Sequence, residues 1–252
     1  MRSLVLVLPF AACVAPREVP VRQVARAPTS PAEPARPPVS EWRELGRSVQ
    51  GRPIRAREVG SGARRVLWVG GIHGNEREGT LATAALPADF LAAGLGDRVT
   101  LTIVEDLNPD GRAVSTRGNA NGVDLNRNFP ARTFVPASGS GERPLSEPES
   151  RILHDLIRAL RPDLVIVCHS WSNRHFINYD GPAGDLARRF AALSGYPLVE
   201  SRSFAATPGS LGSFVGGDLG LPILTIEWRQ GCDWQAAWED VRRAALAVIE
   251  GS

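Results

Sequence analysis

The sequence predicts a single α/β domain built on a mixed, mostly parallel sheet with helices on both faces. Two observations carry this expectation. Four short apolar runs alternate along the chain with four segments of helical periodicity, which is the signature of strands covered on both sides. The chain also has 252 residues, 43% hydrophobic, with a formal charge of only +2, which suits one substantial core.

The elements follow in order. Residues 1–13, MRSLVLVLPFAAC, join one arginine to an apolar stretch and end in small residues before Cys13. That pattern matches a signal peptide with a lipobox-like end, in which Cys13 becomes an acylated first residue; an ordinary cleaved signal or a buried N-terminal segment are the alternatives. The stretch is too short to span a bilayer. Residues 14–40 are rich in Pro, Ala and Arg without periodicity, so they read as a disordered linker. A catalytic-sized domain then occupies 41–252. Within it, strands are expected at about 64–70, 99–105, 163–168 and 221–228, and helices at about 78–94, 147–160, 183–194 and 233–249. Ser146-Glu147-Pro148-Glu149 has the form of a capping box with proline in the first turn, so one helix should begin there. The stretch from Asn108 to Pro144 lacks apolar periodicity, and loops that long in compact domains are usually functional.

Composition removes several function classes. All 29 basic residues are arginines spread along the chain, with no cluster of the kind that grips nucleic acid. Without lysine there is neither a phosphate-binding P-loop lysine nor a Schiff base, and no G-x-S-x-G elbow marks a serine hydrolase. Beyond Cys13, only Cys168 and Cys232 remain; they either pair in an oxidising compartment or are small buried residues.

The stretch GIHGNERE, residues 71–78, follows the first strand and raises the possibility of a metal. In open α/β sheets, ligands gather at the carboxyl ends of strands. His73 and Glu76 lie there, as do His169 after VIVC and Glu227 at the end of LPILTIE. Two histidines and a carboxylate are a catalytic zinc set, and an unligated carboxylate is what such a site needs to take a proton from water. An H-x-x-E alone is also a common accident, and a histidine after a strand is often a hydrogen-bonded structural residue. His154, beside Asp155, reads as solvated, and His175 as near the site without belonging to it.

Several motifs in fixed order go further: H-x-x-E (His73, Glu76), NPDG (108–111), GVDLNRNFP (122–130), PLSEPES (144–150), HSWSN (169–173) and TIEW (225–228), led by ELGRSVQGRPI (44–54). Together they resemble the zinc carboxypeptidase family, and most of all its small bacterial branch of murein peptide amidases, which cut the γ-D-glutamyl–diaminopimelate bond. The resemblance implies one zinc ion held by His73, Glu76 and His169, with Glu227 as general base and then proton donor. It implies that Asn126 and Arg127 grip the substrate's free carboxylate, that Arg117 polarises the scissile carbonyl, and that Ser170 contacts the substrate. A planar guanidinium suits that carboxylate because it binds in a two-pronged fashion. The larger relatives carry a mobile tyrosine before the T-x-E strand, whereas residues 197–226 here contain only Phe204 and Phe214 as aromatics. The segment 207–214, TPGSLGSF, is expected to line the specificity pocket.

The resulting expectation is a monomeric zinc-dependent amidase acting on peptidoglycan stem peptides, in the periplasm or at the outer membrane as a lipoprotein. It would touch the membrane only through an anchor at Cys13. A zinc deacylase of the aspartoacylase and succinylglutamate desuccinylase type shares HGNE and an LNR segment, but NPDG and PLSEPES weigh against it. A non-catalytic lipoprotein that binds cell-wall peptides is the third reading.

Overall fold

In the computed structural model, which describes residues 39–201 and 207–251, the four expected strands form the middle of an eight-stranded sheet. They are β3 (Arg64–Val69), β4 (Val99–Val104), β5 (Leu164–Trp171) and β8 (Ile223–Arg229). The edges come from β1 (Arg43–Arg47) and β2 (Pro53–Val59) on one side and β6 (Phe176–Asp180) and β7 (Leu198–Glu200) on the other. The order is β1-β2-β4-β3-β5-β8-β6-β7. The pairs β3–β4, β3–β5, β5–β8 and β6–β7 are parallel, and the remaining three are antiparallel.

Periodicity revealed the middle strands and not the edge strands, for a physical reason. Strands covered on both faces are continuous apolar runs, but β2 alternates buried Ile54 and Ala56 with arginines, and β7 is three residues long. Short, charged edge strands also discourage pairing with other chains.

One face of the sheet is covered by α1 (Arg77–Ala92), α4 (Gly184–Ser194) and α5 (Trp234–Glu250), around Trp68, Phe90, Phe190 and Val241. Trp68 packs edge-on against Trp238 at 6.2 Å, and its indole N–H donates to Thr83 Oγ1 at 2.9 Å, so this large buried ring leaves no orphaned donor. The other face holds α3 (Pro148–Leu160) and the long segment between β4 and α3, around Leu67, Leu125, Phe129 and Leu153. Fully burying a side chain such as Phe129 contributes about 1.5–3 kcal/mol.

The long segment is ordered by polar contacts. It contains α2 (Pro109–Ala113) and a 3₁₀ turn at Leu125–Arg127, and its anchors are three buried asparagines. Asn108 accepts from the Gly111 N–H and donates to the carbonyls of Ile72 and Arg117. Asn119 donates to both Glu147 and Glu149 and accepts from the amides of Asn121 and Val123. Asn128 donates to the Ser140 carbonyl and to Ser146 Oγ. Buried amides of this kind satisfy loop backbone that has no ladder partner.

The same contacts correct the capping box. Helix α3 does begin at Pro148, but its N-cap is Glu147 and no side chain caps it. The Ser146 hydroxyl donates to Glu147 Oε1, and Glu149 accepts from the Val49 amide and Asn119. The atoms that would have closed the box serve the long segment instead. At the N-terminal boundary, Val39 bridges Val59 and the Ser40 amide donates to the Glu58 carbonyl, so the last two residues of the expected linker pack on β2. Cys168 and Cys232 are both free, the first buried within β5 and the second half-buried. The expected signal, Cys13 and most of the linker lie outside the described residues. Among the described residues, no helix is long and apolar enough to cross a membrane.

Candidate metal centre

The chain leaves β3 through Gly70 and Gly71 and places His73 and Glu76 immediately before α1. Gly71 has φ of 68°, which only glycine adopts without strain. Gly74 plays a different part: its φ is not left-handed, but a Cβ there would lie 2.0 Å from the Gly111 carbonyl carbon, so it lets α2 approach the loop.

His169 sits near the end of β5, in register with Glu227 on β8. The two histidines and Glu76 bring their ligand atoms within 4.8 Å of one another. His73 Nδ1 lies 2.8 Å from Glu76 Oε1, His169 Nδ1 lies 2.9 Å from Glu76 Oε2, and the two Nδ1 atoms are 3.0 Å apart. All three residues are buried. Glu227 is also buried, and its Oε2 has no hydrogen-bond partner among the described residues.

Electrostatics separate the two carboxylates. Burial pushes Glu76 up, but His73 and His169 outweigh it and hold its carboxyl well below the usual range. Burial pushes Glu227 up to about 7; Glu76 adds to the rise, while His169, Arg117 and Arg174 oppose it. Burial pushes the His73 ring down, but Glu76 and Asp124 beside it prevail and hold it above the ordinary histidine value. Glu76 therefore stays anionic, as a metal ligand would have to be, whereas the raised value of Glu227 suits a group that takes up and releases a proton.

Asp124 and Glu78 lie within the stretches GVDLNRNFP and GIHGNERE, but no role was assigned to either from the sequence. Asp124 accepts from His73 Nε2 at 2.9 Å, an arrangement that would leave Nδ1 to offer its lone pair to a metal once the ring is neutral, and it also accepts from Arg117 Nε at 2.9 Å. Glu78 accepts from the Ser170 hydroxyl at 2.6 Å and from the Gly231 amide at 2.7 Å. It thereby ties the loop carrying Glu76 to the residue after His169 and to the segment that follows Glu227. A buried carboxylate two residues beyond a candidate ligand was the available signal, and the helix periodicity of α1 concealed it.

The remaining expected residues surround one cavity of about 470 Å³. Arg117, half exposed, reaches Glu76 Oε1 with Nη1 at 3.1 Å. Asn126 and Arg127 line the wall; the Asn126 side chain accepts from the Leu211 amide and lies 3.3 Å from His169 Nε2. The Ser170 amide donates to Glu76 Oε2 and its hydroxyl to Glu78, so these donors, expected to face a substrate, are engaged within the protein. Thr207, Ser210 and Gly212 line the cavity as expected of TPGSLGSF, but Phe214 turns away and stacks on Phe129 at 6.3 Å. Phe204 lies outside the described residues. His154 is half-buried against Phe214 instead of solvated, and His175 packs on Tyr196 away from the cluster.

Two imidazole nitrogens and one carboxylate, converging in a buried pocket with a position left open, form a donor set that fits catalytic zinc. The orphaned Glu227 oxygen in the same cavity is the group that an attacking water would satisfy.

Comparison with known proteins agrees with this geometry. The family model described as zinc carboxypeptidase matches residues 32–203. Murein peptide amidase A of Escherichia coli (strain K12) is 31% identical over 215 residues, spanning 76% of this chain and 82% of that protein. Gamma-D-glutamyl-L-diamino acid endopeptidase 1 of Lysinibacillus sphaericus is 27% identical over 225 residues, spanning 67% of this chain and 56% of that one. Among solved structures, murein-tripeptide amidase of Escherichia coli O157 superposes with a TM-score of 0.65 at 27% identity, over 83% of this chain and 91% of that chain.

Proposed function

Because the chain belongs to the zinc carboxypeptidase family, and is thus a zinc-dependent hydrolase, we propose that it cuts the amide joining a γ-D-glutamyl unit to a terminal diaminopimelate in peptidoglycan stem peptides. The observation that carries this reading is the buried meeting of His73, Glu76 and His169 in one cavity with the buried carboxylate of Glu227. The murein peptide amidase of 31% identity supports the substrate class.

His73, Glu76 and His169 would hold the zinc, which supplies polarisation of the scissile carbonyl and a lowered pKa for water. The rest falls to the chain's own residues. Glu227 removes a proton from the attacking water as the water oxygen bonds to the amide carbon. It then gives that proton to the departing nitrogen as the C–N bond breaks, so the carboxylate is restored at the end of each turnover. Arg127 and Asn126 hold the free α-carboxylate of the leaving residue, the guanidinium by paired hydrogen bonds. Arg117, at the mouth beside Glu76, meets the charge that develops on the carbonyl oxygen, a contribution worth about 3–4 kcal/mol where single oxyanion donors have been removed.

We also place the enzyme in the bacterial envelope, tethered through an acylated Cys13. The apolar start, the small residues before Cys13 and the Pro/Ala/Arg-rich stretch support this reading. Loss of labelled palmitate incorporation on Cys13→Ala is the expected outcome, and labelling that persists would refute it.

The test of the activity is incubation of the purified domain with L-Ala-γ-D-Glu-diaminopimelate, with and without a chelator. Release of diaminopimelate that stops on chelation is expected. Zinc-dependent cleavage of ordinary peptides with this substrate untouched would mean a general carboxypeptidase instead. Cleavage of N-acyl amino acids alone would revive the deacylase reading.

A further inference from the structure

The substrate of the proposed function carries two free carboxylates close to the bond that is cut. Arg127 and Asn126 take the one on the leaving residue. The other is the α-carboxylate of the γ-D-glutamyl unit, on the acyl side. Four carbon–carbon bonds separate it from the scissile carbon, about 5 Å when extended. None of the residues that carry the chemistry meets it.

From the candidate ligands the cavity runs two ways. Downward it follows β6, where Asn178 and Asp180 line it; upward it opens past Trp171, Ser172 and Gln230 at the carboxyl ends of β5 and β8. The sheet register orders these levels, with Asp180 opposite Ile223, Phe176 opposite Glu227 and Trp171 opposite Arg229. An acyl group that continues into a stem peptide has to leave by the open end, over Trp171, which is 38% exposed.

Arg174 stands at that rim, in the four-residue connection between β5 and β6 and on the edge between this cavity and a second hollow. Its guanidinium lies 4.9 Å from the centre of the Phe176 ring and 5.5 Å from that of Trp171. Both rings line the cavity, and Phe176 is in register with Glu227. Among the described residues no hydrogen bond or ion pair engages this guanidinium. The two other arginines of the cavity are occupied, Arg117 by Glu76 and Asp124, and Arg127 by the Asn126 carbonyl. Arg174 is also close enough to Glu227 to oppose the rise of its carboxyl.

We propose that Arg174 is a specificity-determining residue that receives the free α-carboxylate of the γ-D-glutamyl unit, so that the enzyme prefers an anionic residue on the acyl side of the bond it cuts. The identity of that residue rests on the amidase reading; the preference for its charge does not. A guanidinium seated over rings keeps its N–H edge free, and a carboxylate accepts from that edge in a two-pronged fashion. The cation also settles a conflict, because a substrate carboxylate brought past Glu227 alone would set two like charges against each other.

The experiment compares L-Ala-γ-D-Glu-diaminopimelate with the same peptide bearing a carboxamide in place of the α-carboxylate, a change of charge at constant shape. The zinc enzyme should prefer the carboxylate by roughly tenfold in kcat/KM, mainly through KM. Arg174→Gln should bring the two substrates to within about twofold of each other, and Arg174→Lys should keep part of the preference. Loss of this cation also lets the Glu227 carboxyl rise further with either substrate, so the ratio between the substrates is the measure, and not either rate. Calorimetric titration of L-Ala-γ-D-Glu and its carboxamide into the zinc-loaded protein gives a readout independent of turnover, and the same order is expected. Equal kcat/KM for the two substrates in the wild-type protein would overturn the assignment. So would a fall of both together in Arg174→Gln, which would make Arg174 only a brace for the rim. An α-linked glutamyl residue places its side-chain carboxylate the same four bonds from the scissile carbon, so ordinary peptides with glutamate or glutamine at that place form a second pair. If only these are cut and the glutamate preference depends on Arg174, the murein reading fails and this one stands. If the murein peptide is cut and its carboxamide equally well, the reverse holds.

Discussion

The two ends of the cavity are built in different ways. At the catalytic end, the candidate ligands and base come from the carboxyl ends of β3, β5 and β8, three adjacent parallel strands in the middle of the sheet. Each candidate ligand there is fixed at least twice, His73 by Glu76 and Asp124, Glu76 by both histidines, Arg117 and the Ser170 amide, whereas the Glu227 Oε2 has no hydrogen-bond partner among the described residues. At the far end, Asp180 belongs to the five-residue β6, flanked by the three-residue β7 and by a π-helical turn at Ser213–Asp218. What holds it is close glycine packing and few polar bonds. The candidate chemistry thus sits where the sheet is most constrained, and the far end of the cavity at the edge, where side chains change at little cost to the fold.

This contrast is open to direct test, and the largest effect belongs to the catalytic end. Glu227→Gln should lower kcat by roughly 10²–10⁴-fold while zinc content stays at one per chain. Unchanged turnover would transfer the base role to another residue. Asp124→Asn should weaken zinc binding by roughly 10–100-fold in a chelator competition, because the His73 ring loses the acceptor that sets its tautomer. Equal affinity would show that ring packing alone positions Nδ1. Glu78→Ala strands the Ser170 hydroxyl and the Gly231 amide, and urea unfolding should register a loss of about 1–3 kcal/mol together with weaker zinc binding. Stability loss with zinc affinity intact would make Glu78 purely structural. The smallest effect is expected at the far end. Asn178→Ala removes the bond to the Val199 carbonyl and should cost about 1 kcal/mol, with zinc affinity unaltered. A zinc effect there would mean that the two ends are more tightly coupled than their separate contacts imply.

The same division decided what could be read from sequence. The strands at the catalytic end are continuous apolar runs with histidine or glutamate at or just beyond their ends, so RRVLWVGGIHGNE, VIVCHS and ILTIEW showed both the strand and the site residue at once. The ordered motifs then brought Asn126, Arg127 and Arg117 to the same cavity, where the structure places them. Strand β6 escaped because FINYD is short and only half apolar, and because its place in the cavity wall comes from a register against β8 that periodicity does not contain. The long segment after β4 read as a loop because its interior is held by Asn108, Asn119 and Asn128, which no hydrophobic pattern reports. Glu78 was hidden in a helix, where a carboxylate looks like solvated surface until its partners from β5 and the β8–α5 turn are visible.

The sheet order carries one more consequence, for the time at which the enzyme comes into being. Strands β5 and β6 are separated in sequence by only four residues, Ser172 to His175, yet they do not pair, because β8 lies between them. A growing chain that has made both histidines and most of the cavity wall still has a gap through the middle of its sheet. It lacks the base, the strand that sets the spacing of the two halves, and the Gly231 amide that closes the Glu78 tie. Pairings so distant in sequence form late and slowly. Hydrolytic competence therefore waits on β8, and a chain cut short before Ile223 would carry both histidines without the carboxylate of Glu227.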